Sequence, residues 1–187
     1  MYFLESEIIG LRELDHEDID NGYGDWFNDR MVCKYNTHHR FPVCRRELEA
    51  YINLLKDDRT RIVLAVVEKK DSKHIGNISL QEIDLLNRQA EIAFVFGEKE
   101  YWGRGYATEA ARLLIDHGFT ELGLNRVYFG TSEENIGMQK IADKLKFQKG
   151  GVLRQALFKN GRYMDIYQYD LLKEEWMTDN IIQNKTK

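Results

Sequence analysis

Two glycines and an arginine stand directly in front of a helical pattern, in the stretch EKEYWGRGYATEA at residues 98–110. At a junction between a strand and a helix, the free N–H groups of the first helical turn and the helix dipole favour a bound anion, above all a phosphate. Gly103 and Gly105 let the backbone turn sharply and approach a ligand closely. Arg104, between them, can add a charge-assisted hydrogen bond. The loop therefore predicts either an anion pocket or a simple helix-entry turn.

Two familiar phosphate-binding loops do not fit this stretch. It contains no GxxxxGK[ST], which excludes the P-loop of nucleotide hydrolases. Its GxG lacks a third glycine and follows four predicted strands rather than the first, which argues against a dinucleotide-binding fold. Taken alone, the loop leaves pocket and turn open.

The elements that position the loop are predicted from hydrophobic spacing. Residues 90–96 alternate as a strand. Small and apolar residues recur at helical spacing from about 105 to 122. The strand is expected to place Ile92, Phe94 and Phe96 on one face and Glu91, Ala93 and Val95 on the other. The other predicted strands are 7–12, 61–69, 74–84, 125–132, 147–158 and 163–172, and the other helices are 15–30, 44–57 and 135–145.

Composition sets the class of protein. The 187 residues are 43% hydrophobic with a single proline, which predicts one ordered domain, over residues 1–176, and a polar tail at 177–187. A net charge of −4 argues against a protein that coats nucleic acid. The longest apolar run, residues 62–67, is far below the roughly 18 residues of a membrane span. Without a signal-peptide pattern at its start, the chain is predicted to be cytoplasmic.

No metal site is predicted. Cys33 and Cys44 fit no ligand or redox spacing, so we expect reduced thiols. The pair His38 and His39 lacks an acidic or cysteine partner at ligand spacing.

With its surroundings, the loop resembles a known family. YWGRGYATEA (101–110), after AEIAFVF (90–96) and before NIGMQKIADKLKF (135–147), is similar to the GNAT superfamily of acetyl-CoA-dependent N-acetyltransferases. FKNGRYMDIYQYDLLKEEW (158–176) and WFND (26–29) look most like the branch of ribosomal-protein N-terminal acetyltransferases and polyamine acetyltransferases. The resemblance implies a single α/β (α+β) domain, with a mixed, mostly antiparallel central sheet and helices on both faces. It also implies acetyl-CoA as acetyl donor, no metal, and a homodimer as an expectation.

The resemblance further implies which residues hold acetyl-CoA. The loop would bind the pyrophosphate through backbone N–H groups, and the end of strand 90–96 would pair with the pantetheine arm and polarise the thioester carbonyl. Asn135 would hydrogen-bond the cofactor near its pantetheine. The residues so implied are Gly103, Arg104, Gly105, Tyr106, Ala107 and Thr108 in the loop, and Phe94, Val95 and Phe96 on the strand.

The chain departs from the family pattern at three positions. Glu100 stands where the family often has Gln or Arg, and a carboxylate there does not help to bind phosphate. Ala142 and Met138 stand where the family and this branch carry a tyrosine and a serine that act as acid for the thiolate. The acid is therefore unassigned, or the thiolate leaves without one.

Acetyl transfer to an amine needs a neutral nucleophile, and an alkylammonium has a pKa of about 10. A carboxylate can remove the proton directly or through a water. Glu91 is the candidate base, since its family counterpart faces the acceptor cleft; the alternative is a glutamate at the core edge paired with Arg88. His117 is expected on the solvent side of its helix, and Tyr106 and Trp102 are expected to pack around the loop. The mechanism expected is direct attack without a covalent enzyme intermediate.

The acceptor stays open as a primary amine: a polyamine, a protein N-terminus or an amino sugar. Nine acidic residues against two basic ones in residues 1–30 motivate a cationic acceptor near Glu17, Asp18 and Asp20, although a solvated helix face explains them as well. Two further functions also stay open. The missing tyrosine and serine favour a non-catalytic CoA-binding or sensing module, and the glycine loop leaves a nucleotide-binding protein.

Overall fold

The computed structural model describes residues 1–178, in which one mixed sheet has the strand order β1-β2-β3-β4-β5-β6-β8-β7. Neighbouring strands run antiparallel, except β5 and β6, which are parallel. The expected mixed, mostly antiparallel sheet is confirmed. The strands are Leu4–Glu5 (β1), Ile9–Glu13 (β2), Ile62–Glu68 (β3), Lys73–Asp84 (β4), Gln89–Phe96 (β5), Arg126–Ser132 (β6), Gln148–Lys159 (β7) and Arg162–Leu172 (β8).

Helices cover both faces of this sheet, as predicted. One face carries the two helices that follow the glycine loop, and the other carries the segment between β2 and β3. No helix within residues 1–178 has the length and apolar character needed to cross a bilayer. The helices are Gly24–Trp26 (α1), Arg45–Leu55 (α2), Tyr106–Thr120 (α3) and Ile136–Lys144 (α4), with single turns at Ile19–Tyr23 and Lys99–Tyr101.

Strand β5 separates the two hydrophobic layers. Ile92, Phe94 and Phe96 pack into the core beneath α3, whereas Val95 packs into the core on the opposite face. This alternation is the one predicted from the sequence. Helix α3 lies close to the sheet at Gly118, which has no side chain. A Cβ added there would come within 3.2 Å of the Leu80 side chain.

The predicted helix over 15–30 is wrong as a continuous element. The chain instead makes a wide turn at Ile19–Tyr23 and then the short α1. The helix breaks at Asn21 and Gly22, whose φ and ψ are not helical, and Gly22 has φ of +104°. Such a φ is accessible to glycine without steric cost. The break redirects the chain so that the next residues pack onto the sheet.

Two later helical segments complete the described chain. Ile136 at the start of α4 is 55% exposed, and Ala142 on the opposite side of that helix is fully buried. Residues 173–178 are helical, so a helix extends two residues into the polar tail predicted at 177–187. Trp176 within this segment is buried and its Nε1–H donates to Asp116 Oδ1 at 3.1 Å. The boundary at residue 176 remains a prediction, and residues 179–187 of the predicted tail lie outside the described part.

The second hydrophobic layer is closed by an indole ring. Trp26 is buried against the turn that follows β5, and its Nε1–H donates to Glu98 Oε1 at 3.0 Å. A Cβ built on Gly97 would lie 2.0 Å from the ring. Residue 97 must therefore be glycine for the indole ring of Trp26 to lie against this turn.

Replacing Gly97 with alanine should lower the free energy of unfolding by about 1–3 kcal/mol, because the methyl group overlaps a buried ring that cannot move into solvent. Urea denaturation followed by tryptophan fluorescence measures the change. Gly151→Ala is the matched control, since a Cβ there meets no atom within 4 Å. Equal stability of the two variants would contradict the tight contact.

Candidate active site

A cleft opens where β5 and β6 part. The two strands pair only between residues 89–91 and 126–128. Beyond this point, residues 92–96 pair with β4 on one side, and the side that faced β6 opens into a cleft of about 1370 Å³. The cleft runs from the glycine loop across the sheet edge to the face that carries α1 and α2. It brings together nearly all the site residues predicted from the sequence.

The glycine loop forms one end of this cleft. Gly103 and Gly105 have φ of +74° and +92°, and a Cβ on either would meet no atom within 4 Å, so the loop faces open space. Gly105 is the N-cap of the 15-residue α3. The free N–H groups of its first turn belong to residues 106–108, which all line the cleft. This end can hold a phosphate group without any side-chain ligand.

Arg104 is the loop residue that the structure places differently. Its side chain is absent from the described cleft lining, and its guanidinium carbon lies 5.6 Å from the ring centre of Tyr101. Tyr101 in turn packs edge-on against Tyr106, with ring centres 5.8 Å apart. The side chain of Arg104 therefore packs on an aromatic pair at the base of the loop. Glu100 is also absent from the described lining.

The end of β5 offers its backbone to the cleft. Phe94, Val95 and Phe96 all line it, and on the open side no strand pairs with their peptide groups. Buried backbone donors and acceptors need partners, and a ligand with peptide-like amides can supply them. Trp102 closes this end, since its Nε1–H donates to the Phe96 carbonyl oxygen at 2.9 Å.

Asn135 lines the cleft from the other side, at the start of α4. Its Oδ1 accepts from the N–H of Met138 at 3.3 Å, and its Nδ2–H donates to Thr131 Oγ1 at 3.1 Å. The asparagine thus caps α4 and ties the helix to β6. Met138 lines the cleft and Ala142 is buried. Neither side chain carries a group that could give a proton to the thiolate.

Glu91 lies where the two strands part, half-buried and lining the cleft. Burial raises the pKa of its carboxyl group, and the negative charge of Glu82 raises it further. Among residues 1–178, Glu91 forms no ion pair, so the alternative pairing with Arg88 is not seen. A carboxylate with a raised pKa that faces a cleft can accept a proton from an ammonium group.

The floor beside Glu91 is a row of polar side chains on β4 that the sequence analysis did not single out. Asn77, Ser79 and Gln81 alternate along the strand and all line the cleft. Gln81 Nε2–H donates to Ser79 Oγ at 2.9 Å. Polar residues at period two in an otherwise apolar strand were the signal that could have revealed them.

A buried polar network fixes Asn77. His74 Nε2 lies 2.8 Å from Asn77 Oδ1, and His74 Nδ1 lies 3.1 Å from Asp18 Oδ1. Asp18 also accepts two hydrogen bonds from Arg12, at 2.6 and 2.8 Å. Burial raises the pKa of Asp18, but the hydrogen bonds from Arg12 and the close contact with His74 outweigh it and hold the pKa well below the usual range.

The acidic residues that motivated a cationic acceptor do not reach the cleft. Asp18 is buried in its network and Asp20 pairs with Arg45. Neither they nor Glu17 belong to the described lining. The acceptor must be recognised by other groups.

The segment between α1 and α2 forms the outer wall of the part of the cleft that lies over β4 and Glu91, which we call the acceptor half. Lys159, on β7, donates from Nζ to the carbonyl oxygens of Asn36, at 3.0 Å, and of His38. Arg40 donates in return to the Phe158 carbonyl oxygen at 3.0 Å. These contacts join the wall to the β7–β8 hairpin.

Two histidine positions considered from the sequence have packing roles. His117 lies edge-on to Phe3 with ring centres 5.0 Å apart, and it is absent from the described lining. His38 lines the cleft and packs on Phe27 at 4.7 Å. No group of three or more His, Cys, Asp or Glu in residues 1–178 is placed to hold a metal ion.

Comparison with known proteins agrees with this geometry. The model of the acetyltransferase (GNAT) domain family matches residues 9–148. An uncharacterized N-acetyltransferase, p20, of Bacillus licheniformis is 35% identical over 178 residues, which cover 94% of this chain and 99% of that protein. The spermidine N(1)-acetyltransferase of Escherichia coli K12 is 28% identical, covering 95% of this chain and 93% of that protein.

The fold is found among solved structures. Spermidine N-acetyltransferase from Vibrio cholerae, in complex with CoA and spermine, superposes with a TM-score of 0.84 at 25% identity, covering 92% of this chain and 99% of that one. The resemblance noted in the sequence is confirmed: the chain belongs to the GNAT family of N-acetyltransferases.

Proposed function

We propose that this chain transfers an acetyl group from acetyl-CoA to a small primary amine, with the donor between β5 and β6 and the acceptor over β4. One observation carries the proposal. A single cleft joins a phosphate cradle at Gly105, an open strand edge at 94–96 and a carboxylate at Glu91, in that order. A donor with a pyrophosphate, an amide-bearing arm and a thioester fits this sequence of groups.

The donor half binds through backbone. The N–H groups of residues 106–108, at the positive end of the α3 dipole, hold the pyrophosphate. The open edge of residues 94–96 binds the pantetheine amides, and Asn135 adds a side-chain contact near them. Bound acetyl-CoA supplies the activated acetyl group as a thioester.

Glu91 prepares the acceptor for attack. Its carboxylate takes a proton from the incoming ammonium, directly or through one water, so that the neutral amine attacks the thioester carbonyl. N–H groups at the end of β5 stabilise the developing oxyanion. The tetrahedral intermediate then breaks its C–S bond, and CoA leaves as a thiolate, whose low basicity relative to the amine makes departure without an acid feasible. The nitrogen, now bonded to the acetyl group, releases its second proton to the thiolate or to water.

The related proteins support a small acceptor. The Vibrio cholerae structure holds spermine and the Escherichia coli relative acts on spermidine, so a primary amine of this size range is the acceptor class that we propose. A protein N-terminus or an amino sugar are the alternatives, and a competition assay between these classes separates them. The homodimer and the location in the cytoplasm remain predictions from the sequence.

Gly105→Ala should raise the KM for acetyl-CoA about 5- to 30-fold, because a left-handed conformation costs a non-glycine residue about 1–2 kcal/mol and the loop relaxes out of its binding shape. Gly123→Ala is the matched control: Gly123 also has positive φ and open space around its Cβ position, but lies outside the cleft lining. Initial rates of thiol release at varied acetyl-CoA measure both. An equal rise in KM for Gly123→Ala would contradict the cradle.

Glu91→Gln should lower kcat/KM for the amine about 100-fold or more, because an amide cannot accept the proton. Glu82→Gln should keep the activity at alkaline pH. Because loss of the neighbouring charge lowers the pKa of Glu91, this variant should move the acid limb of the rate profile to lower pH.

The pH profile separates Glu91 from the amine itself. Below the pKa of Glu91, log kcat/KM should fall with a slope of one, since the carboxylate must be ionised to accept the proton of the ammonium. Between that pKa and the pKa of the amine, the profile should be level. The pKa of the amine does not change with the variant, so a shifted break reports on Glu91. Full activity of Glu91→Gln between pH 6 and 9 would overturn its role as a base. Thiol release absent for every amine, with acetyl-CoA still bound, would favour the non-catalytic module.

A further inference from the structure

The acceptor half of the cleft is not an acidic site. The only carboxylates in the described lining of the whole cleft are Glu47 and Glu91, and the cations on the side of α2 and β3 are Lys34 and Arg61. Glu47 is already engaged, since its Oε2 accepts from the N–H of Cys44 at 2.9 Å and caps α2. A ligand with several positive charges would thus find Glu91 and few other charged partners.

The register of the sheet places Arg61 and Glu91 at opposite ends of the polar floor. Gln81 pairs with Glu91 across β4 and β5. Ile62 pairs with Leu80 across β3 and β4, and continuing this register by one residue sets Arg61 opposite Gln81. Three side chains on adjacent strands therefore share one face. Two strand spacings put the Cα atoms of Arg61 and Glu91 about 10 Å apart.

The guanidinium group of Arg61 is held at its Nε edge by Asp58. Asp58 Oδ2 lies 2.6 Å from Arg61 Nε, yet outside the N–H direction, so the contact is an ion pair without a hydrogen bond of standard geometry. The side chain is 35% exposed and lines the cleft. Tyr51 lies beside it: burial raises the pKa of this tyrosine, and the charge of Arg61 opposes the rise.

Asp58 is itself well fixed. Its Oδ1 accepts from the N–H and the hydroxyl of Thr60 at 2.8 and 2.6 Å. The ion pair with Asp58 therefore fixes the orientation of the Arg61 guanidinium through its Nε edge. Arginine binds a carboxylate through two parallel N–H donors, which gives both affinity and direction.

We propose that the physiological acceptor carries, besides its primary amine, a carboxylate that Arg61 binds at the far end of the polar floor from the thioester. The inference rests on the proposed function, because it assumes that the amine lies at Glu91. The acceptor class is then an amino acid or a related zwitterion whose amine and carboxylate are separated by several bonds. Gln81, between the two charged residues, faces the middle of such a molecule.

Three matched amines test the proposal with the full-length protein. All three carry a primary amine on a chain of four methylene groups. The other end is an ammonium group in putrescine, a methyl group in n-pentylamine and a carboxylate in δ-aminovalerate. We expect kcat/KM for δ-aminovalerate to exceed that for n-pentylamine about tenfold or more, with putrescine the poorest. Putrescine or n-pentylamine used as well as δ-aminovalerate would overturn the proposal.

Variants tie the preference to the guanidinium. Arg61→Gln should reduce kcat/KM for δ-aminovalerate about tenfold or more while changing that for n-pentylamine less than twofold, and Arg61→Lys should restore only part of the preference because it lacks the planar fork. Arg45→Gln is the control, since Arg45 is an ion-paired arginine outside the cleft lining. A preference that survives in Arg61→Gln contradicts the assignment.

Binding without turnover separates this inference from the proposed function. Calorimetry with the CoA-loaded protein measures the affinity for δ-aminovalerate directly. If no amine is acetylated but δ-aminovalerate binds and Arg61→Gln abolishes the binding, the carboxylate site stands and the proposed reaction fails. If the amines are acetylated without preference and δ-aminovalerate binds no better than n-pentylamine, the reaction stands and the carboxylate site fails.

Discussion

The divergence of β5 from β6 is the constraint on which the site depends. Two parallel strands pair over three residues and then separate, so the peptide groups of residues 92–96 lose a partner on one side. Peptide groups need hydrogen-bond partners, and along this edge of the cleft a ligand or water can supply them. The same separation sets the start of α3 at the mouth of the opening, where Gly105 leaves the N–H groups of the first turn free. One irregularity of the sheet thus creates both the cradle and the strand edge.

The acceptor half depends on a different set of contacts. The break at Gly22 bends the chain, which lets Trp26 pack against Gly97 and closes the second hydrophobic layer. Asp18 is anchored beside it by Arg12 and His74, so this buried charge is paired on every side. A buried carboxylate is tolerated only with such partners. The network ends at Asn77, so the packing of the segment between β2 and β3 is coupled to the polar floor of the cleft.

The two halves of the cleft recognise their ligands by different means. The donor half uses N–H groups of the main chain, which every sequence carries, and it needs only glycine at positions of positive φ. In the proposed reaction the acceptor half uses the side chains of Glu91, Gln81 and Arg61, and side chains differ from one sequence to another. This difference explains how proteins of one fold can share a donor while differing in the acceptor.

The sequence by itself determined the strand 90–96, the glycine loop and the helix after it, because alternation, positive-φ glycines and a small-residue stripe are local signals. The same signals predicted the continuous helix over 15–30, since its hydrophobic spacing does not show that Gly22 adopts φ of +104°. Only the tertiary structure showed that Arg104 lies over the ring of Tyr101, that Asp18 is buried and that Arg61 and Glu91 lie on either side of Gln81. These facts depend on strand register and on packing between distant segments. Residues 61, 81 and 91 become neighbours only when three strands align, and no local pattern encodes that alignment.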